Sequence, residues 1–282
     1  MNHSIPFVKA TACGNDFLLI DGSAVAEGDR KPITRSICDR HLGVGADGVE
    51  WLFPTDKADI YAKLINSDGS DAEVSGNGTR CVAAWHTWKN LTQYQRPPDD
   101  LDDLLTTIGG NSVVRVLTDA GVKSCALVKQ MGPEFEFRSD MGEPEIRDER
   151  TLRLAVGERS GFKLSMGNPQ FIVFVDEFSP NWQGEGAEIE RHQEFPQRTN
   201  VEFVKVIGPR EIEIRIFERG AGETKSSGTG SCASAVAAIH SGRVKSPVRV
   251  VSPGGAQTVE WEGGSVFLTG PARILCCGEF LL

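Results

Sequence analysis

One pattern occurs twice in this chain, and its two copies constrain the fold more than any other feature. Glu211–Ile239 reads EIEIRIFERGAGETKSSGTGSCASAVAAI. Ile212, Ile214 and Ile216 alternate with charged residues, the period-2 signature of a half-buried strand. Glu218–Gly230 is a loop rich in Gly, Ser and Thr. From Cys232 onward, Ala233, Ala235, Val236, Ala237, Ala238 and Ile239 predict an almost wholly apolar helix. A small-residue helix of this kind lies inside a domain with its N-terminus toward the preceding loop. Its first N–H groups lack internal partners and carry the positive end of the dipole, so they suit an anion. Tyr61–Trp85, YAKLINSDGSDAEVSGNGTRCVAAW, has the same order of parts. Ser75-Gly-Asn-Gly aligns with Ser227-Gly-Thr-Gly, Ile65-Asn66 aligns with Phe217-Glu218, and a Cys follows shortly in each copy. The copies lie 152 residues apart (75 against 227), about half of the 282-residue chain, so the chain reads as two related halves. Two helix N-termini, one per half, would close on one small anion. Taken singly, each copy is also compatible with an ordinary Gly-rich strand-to-helix turn.

The length agrees with two domains of roughly 150 residues each. The net charge of −9 and the lack of a basic run argue against nucleic acid and anionic membrane surfaces as partners. The first ten residues, MNHSIPFVKA, have no apolar core segment, and no apolar run is long enough to span a bilayer. Seven cysteines, an odd number, are scattered without an export signal, which points to free thiols in a reducing cytoplasm. Cys276-Cys277 are adjacent with no second pair nearby, and no Cys/His cluster has metal-ligand spacing, so no metal site is expected. The five histidines (His3, His41, His86, His192 and His240) form no recognisable triad.

Along the chain, Phe7–Asp21 predicts two strands around a turn at Ala12-Cys13-Gly14-Asn15-Asp16, with the Asn15 amide at the tip. Arg35–Asp47 predicts a short helix-like segment before Gly43-Val-Gly45-Ala-Asp-Gly48. That run matches GxGxxG weakly, since it neither follows a strand nor opens a helix. GAGETKS fails the phosphate-loop pattern because no Gly precedes Lys225. Gln93–Asp103 reads as a polar surface insertion before a strand near Val113–Leu117, and Ala120-Gly121-Val122-Lys123 as a hairpin turn. The pattern restarts around Met131, where the domain boundary is expected. Asn168, in Met166-Gly-Asn-Pro-Gln170, presents a second amide at a strand end, and Asn200, in Arg198-Thr-Asn-Val-Glu-Phe203, a third. The tail from Val248 to Leu282 predicts strands separated by glycine turns.

Together these segments resemble the diaminopimelate epimerase family of the proline racemase superfamily. The matching runs are ACGNDFLLID, NSDGSDAEVSGNGTRCVAAW, DMGEP, MGNPQFIV, RTNVEF, ERGAGETKSSGTGSCASAVAA and WEGGSVFLTGPA, in the family's order and across nearly the whole length. The resemblance implies an α/β (α+β) fold of two pseudo-symmetric domains, each a curled, mostly antiparallel sheet around a central helix, with the active site in the interdomain cleft. The expected halves are residues 1–130 with the C-terminal strand 273–282, and residues 131–272. The implied reaction is cofactor-independent epimerisation of LL- to meso-diaminopimelate by two-base proton transfer at the α carbon, for lysine and cell-wall synthesis. No metal or organic cofactor is implied. The partner is a small amino-acid substrate, and the sequence leaves the oligomeric state open, a homodimer included. Gly76, Asn77, Gly228 and Thr229 would hold the α-carboxylate and its developing charge. Asn15, Asn66, Asn168, Asn200 and Arg219 would bind the distal carboxylate end, and Glu218 the distal ammonium.

The sequence departs from the family pattern at the bases. The family places a cysteine at the head of each glycine motif, whereas this chain has Ser75 and Ser227. A thiol, with a pKa of about 8.5, falls into a useful range at a helix N-terminus, but a hydroxyl titrates far higher. The dipole supplies roughly 0.3–2 kcal/mol, and one pKa unit is about 1.36 kcal/mol, so it cannot close that gap. Gln170 stands where the family commonly has His, and Gly48 where many members have Gln. Three accounts of the serines are open: an engineered replacement, a lineage that keeps the reaction with other groups such as Cys13, or binding of an amino acid without turnover. Racemisation of another amino acid is a further alternative. Cys81 and Cys232 fall inside the predicted helices and read as core residues.

Overall fold

The structure is a computed structural model that describes residues 4–93 and 112–282. The predicted insertion Gln93–Asp103 therefore lies, beyond Gln93, outside the described residues. The chain divides into two compact units, Met1–Ser139 with Gly270–Leu282, and Asp140–Thr269.

The first unit opens with β1 (Ser4–Ala12) and β2 (Asn15–Asp21), an antiparallel hairpin with Ala12 opposite Asn15. Its two turn residues, Cys13 at φ 49° and Gly14 at φ 80°, are both left-handed, as a two-residue hairpin turn requires. Helix α1 (Glu27–Cys38) follows, then β3 (Gly48–Phe53) parallel to β2, and β4 (Ile60–Asn66) antiparallel to β3. After the short β5 (Asp71–Ala72) comes α2 (Gly76–Gln93), then β6 (Val113–Thr118), β7 (Gly121–Met131) and β8 (Glu134–Asp140). β6 runs parallel to β4, whereas β6–β7 and β7–β8 are antiparallel. The curled sheet closes on α2. Cys81, Val82, Ala83 and Ala84 are fully buried among Val8, Phe17, Leu64, Val116 and Phe137. A helix buried all round must be apolar all round, and small side chains let the strands approach it.

The second unit repeats this order. It contains β9 (Glu145–Leu154), β10 (Gly157–Ser165), β11 (Pro169–Phe174), α3 (Trp182–Glu190), β12 (Asn200–Gly208), β13 (Glu211–Glu218), β14 (Gly222–Thr224), α4 (Gly228–His240), β15 (Val248–Ser252) and β16 (Gly255–Glu260). The parallel pairs β11–β12 and β13–β15 occupy the places of β2–β3 and β4–β6. Every residue of α4 from Gly230 to Ala238 is buried. The last strand, β17 (Phe267–Leu281), pairs with β16 at Thr269 and with β1 from Ser4 to Thr11. The mixed α/β architecture expected from sequence is thus observed in both units.

Two domain boundaries, one helix start and one turn differ from expectation. A division at 130/131 would cut the β7–β8 hairpin, whose Phe135 and Phe137 pack into the first core, and the first unit runs to Ser139 instead. The second division falls between Thr269 and Gly270. Helix α4 starts at Gly228, four residues before the apolar run begins, because Ser227 caps it. The β6–β7 turn is centred on Asp119-Ala120 and closed by the Thr118–Gly121 pair, two residues earlier than expected.

Candidate active site

In the first unit, the end of β4, the β1–β2 tip and the N-terminus of α2 converge. Ser75 precedes α2, and its Oγ accepts from Gly78 N at 3.1 Å, the bond of a helix N-cap. Asn77, in the first turn, is buried and donates from Nδ2 to Asn15 Oδ1 at 2.6 Å. Asn15 donates in turn to Asp47 Oδ2 at 3.1 Å. Buried Arg80 holds the other side of Asn77 through its Oδ1 and donates to Pro271 O at 3.2 Å and Cys13 Sγ at 3.7 Å. Arg40 spans Asp16 and Asp47 at 2.7 Å each. Burial raises the Asp16 carboxyl, but Arg40 and Lys9 outweigh it and hold Asp16 below the usual carboxylate range. Asn66 closes its own turn, donating to Ser70 Oγ at 3.0 Å, and lies opposite Gly48 in the β3–β4 register. Gly48 has no room for a side chain: a Cβ there would sit 2.8 Å from Ile65 O.

The second unit assembles the matching set around α4. Ser227 caps the helix, its Oγ accepting from Gly230 N at 3.3 Å. Glu218, at the end of β13, lies near the same hydroxyl. Burial pushes the Glu218 carboxyl up, and the Ser227 hydroxyl only partly offsets it. Asn168 and Gln170 lie at the start of β11 beside Thr229, with Asn168 Nδ2 3.4 Å from Thr229 Oγ1. With the Gln170 amide turned so that its NH₂ meets an acceptor, it donates to Glu202 Oε1 at 2.8 Å and accepts from Asn200 Nδ2 at 3.1 Å. Asn200 Oδ1 accepts from Arg219 N at 2.8 Å, and the exposed Arg219 side chain donates to Gln197 O at 3.3 Å.

The residues singled out from sequence therefore fall into two clusters. Ser75, Gly76, Asn77, Asn15 and Asn66 gather in the first unit, and Ser227, Gly228, Thr229, Asn168, Asn200, Glu218 and Arg219 in the second. Cys81 and Cys232 are fully buried core residues, and burial pushes the Cys81 thiol well above its usual range. Cys13 is buried beneath the hairpin tip against Arg80.

Sequence reading missed five residues that shape these clusters: Asp47, Arg80, Glu190, Glu50 and Glu202. Glu50 and Glu202 carried a usable signal, because they are separated by the same 152 residues as the two serines. Among the described residues, no group of three or more His, Cys, Asp or Glu side chains is placed to hold a metal ion, and no helix is long and apolar enough to cross a membrane.

The sequence model of diaminopimelate epimerase matches residues 7–146 and 162–275. The chain belongs to the diaminopimelate epimerase family. It is an amino-acid epimerase, an isomerase. A diaminopimelate epimerase of Pelotomaculum thermopropionicum is 38% identical over 291 residues, covering 97% of this chain and 98% of that one. One from Halothermothrix orenii is 34% identical over 302 residues, covering 99% and 98%. Among solved structures, a phenazine biosynthesis protein of the PhzF family from Bacillus anthracis matches at a TM-score of 0.71, with 15% identity and 99% of both chains covered. A hydroxyproline epimerase from Agrobacterium vitis, with bound trans-4-hydroxy-L-proline, matches at 0.66, with 16% identity and 99% and 91% covered. At these identities the structural likenesses concern the fold.

Proposed function

We propose that this epimerase interconverts LL- and meso-diaminopimelate by two-base proton transfer at the α carbon, with Ser75 and Ser227 at the positions of the two bases and no metal or organic cofactor. The observation that carries the reading is the pair of serine-capped helix starts, Ser75 with Gly78 and Ser227 with Gly230, in a member of this family. Removing a weakly acidic α proton builds negative charge on the adjacent carboxylate. Helix N-terminal N–H groups at Gly76-Asn77 and Gly228-Thr229 are fixed donors for such charge and need no reorganisation as it develops.

The amides and the guanidinium supply recognition. Asn15, Asn66, Asn168, Asn200 and Arg219 would take the distal carboxylate end, and Glu218 the distal ammonium. A site with buried polar groups rejects amino acids that leave those groups unpaired. A bound ammonium would favour the charged form of Glu218, against the burial that raises it. The product would enter lysine and cell-wall synthesis.

The test is proton NMR in D₂O with LL-diaminopimelate, using this chain and a Ser75→Cys/Ser227→Cys variant. Loss of the α-proton signal with formation of the meso isomer by the unmodified chain is the expected result. Exchange by the cysteine form alone would leave the substrate standing and remove the serines as bases. Exchange by neither form would overturn the substrate, and a panel of other amino acids would then be screened for α-exchange.

A further inference from the structure

Each serine has a buried carboxyl near it to which the resemblance assigns no role. A Cβ built on Gly78 would sit 2.1 Å from Glu50 Oε1 and 3.2 Å from Ser75 Cβ. A Cβ built on Gly230 would sit 2.6 Å from Glu202 Oε1 and 3.2 Å from Ser227 Cβ. In both units, then, the second glycine of the Ser-Gly-x-Gly motif leaves the space that the carboxyl fills. The carboxyl oxygen lies no farther from the serine Cβ than the sum of the two distances. Glu50 is the third residue of β3, between Leu19 and Leu64 of the neighbouring strands. Glu202 is the third residue of β12, between Ile172 and Ile216.

A carboxyl in this position needs an explanation. Glu50 is 3% exposed and Glu202 0%. Burying an ionisable group among aliphatic side chains is costly, and an apolar residue of similar size would fit such a layer at lower cost. Glu202 receives the Gln170 amide. Burial raises Glu50 to about 8. Burial and the nearby Glu218 charge raise Glu202 well above its ordinary value, both acting against its ionisation. Glu50 shares its surroundings with Ser75, at the cap of α2, and with Cys81 inside that helix. The groups around Glu202 are Ser227, Gln170 and Glu218.

We propose that Glu50 and Glu202 hold the transferable protons of the two clusters and exchange them with the substrate through the Ser75 and Ser227 hydroxyls. The proposal rests on the epimerase reading above, and it gives serine a role that its own acidity cannot. In the abstracting direction the Cα–H bond breaks and its electron pair stays on the carbon, delocalised into the carboxylate. The proton becomes the serine hydroxyl hydrogen as the previous hydroxyl hydrogen passes to the glutamate. In the donating direction a protonated glutamate gives its proton to the serine oxygen as the hydroxyl hydrogen passes to Cα. No redox partner is needed. The glutamates act through serine, so they are positioning and relay residues and do not touch substrate.

The experiment uses Glu50→Gln and Glu202→Gln, which keep shape and lose the proton. Three readouts are combined: kcat and KM across pH, thermal melting, and a carbon-13 NMR titration of the glutamate carboxyls without substrate. The expected result is a folded variant with kcat lowered at least about 100-fold, within the usual span of general acid–base catalysis. KM should stay within about threefold, and the rate limb assigned to the carboxyl should vanish. Glu50 in the unmodified chain should titrate above pH 7, and Ser75→Ala should move that titration. A kcat within about threefold of the unmodified enzyme with the same pH profile overturns the relay. So does Glu50 titrating in the ordinary glutamate range, which is decisive even if a variant does not fold. If the unmodified chain turns over no diaminopimelate, the substrate reading is what fails, and the titration with its response to Ser75→Ala then decides the relay by itself.

Discussion

Asn77 Nδ2 donates to Asn15 Oδ1 at 2.6 Å, tying the first turn of α2 to the tip of the β1–β2 hairpin. The bond crosses 62 residues of sequence and joins two side chains assigned to opposite ends of the substrate. Asn77 also accepts from Arg80 through Oδ1, so both of its polar atoms are engaged inside the unit. Removing the Asn77 amide strands a buried guanidinium N–H and the Asn15 oxygen together.

Asn77→Ala should therefore cost about 2 kcal/mol, within the penalty for leaving buried polar groups unsatisfied. Asn15→Ala should cost less, because Asp47 retains Asp16 N as a donor at 3.1 Å. A double-mutant cycle by urea unfolding should give a coupling of at least about 0.5 kcal/mol. Strict additivity would mean that the 2.6 Å contact carries no energy.

The second glycines give a sharper contrast. Gly78→Ala and Gly230→Ala drive a methyl into Glu50 and Glu202, and each should destabilise by about 1–3 kcal/mol, the range for an overpacked interior. Gly76→Ala, with nothing within 4 Å of its Cβ position, should change stability by less than about 0.5 kcal/mol. Combining Gly78→Ala with Glu50→Ala should recover part of the loss. Equal effects at Gly76 and Gly78 in thermal or urea melts would contradict the close approach of Glu50.

The repeat explains how much was legible in advance. Alternation at Ile212, Ile214 and Ile216, and the alanine-rich run after Cys232, reflect local periodicity and burial, so strand and buried helix were readable without tertiary information. Helix starts were read late because glycine and serine have no apolar signal, and only the Ser227 cap bond shows that α4 begins at Gly228. The domain boundary moved because the β7–β8 hairpin is held by Phe135 and Phe137 packing, which composition does not reveal. Glu50 was hidden for a different reason: one glutamate in the apolar run Val49–Phe53 has no pattern of its own, and its burial beneath α2 comes from tertiary packing.

That burial has a consequence for stability as well as catalysis. The Glu50 carboxyl is raised from 4.5 to about 8 by desolvation, so the folded chain binds its proton more tightly than the unfolded chain does. The stability contributed is fully present below the unfolded value and is lost as pH rises through the folded one, between about 4.5 and 8. Across that window the group contributes a slope of up to about 1.4 kcal/mol per pH unit, negative with rising pH. Glu50→Gln should remove this component, making unfolding free energy less dependent on pH from 5 to 8 than in the unmodified chain. Parallel curves for the two proteins would show that Glu50 titrates alike in both states.

The loop that carries Arg219 depends on a carboxylate outside the predicted site. Glu190, at the end of α3, is 1% exposed, and its Oε1 accepts from Gly220 N at 3.0 Å and from Arg198 Nη1 at 3.3 Å. Its Oε2 accepts from Arg191 Nε at 3.0 Å. Arg198 has a φ of 61°, a conformation that costs a non-glycine residue energy and persists only when its surroundings fix it. Two residues later Asn200 holds Arg219 N, so Glu190 fixes both approaches to the same loop. Both arginines are more than half exposed, which limits the charge–charge part of the stabilisation through solvent screening. Glu190→Ala should cost about 2 kcal/mol, mainly from the lost bond to Gly220 N and the unpaired buried groups. Because Arg219 is assigned to the distal end of the substrate and not to the reacting carbon, KM should rise about tenfold with kcat changed less than about threefold, the pattern of lost uniform binding. Glu190→Gln, which keeps an acceptor for Gly220 N, should recover most of the KM. A fall in kcat with KM unchanged would instead place Glu190 in the proton-transfer step.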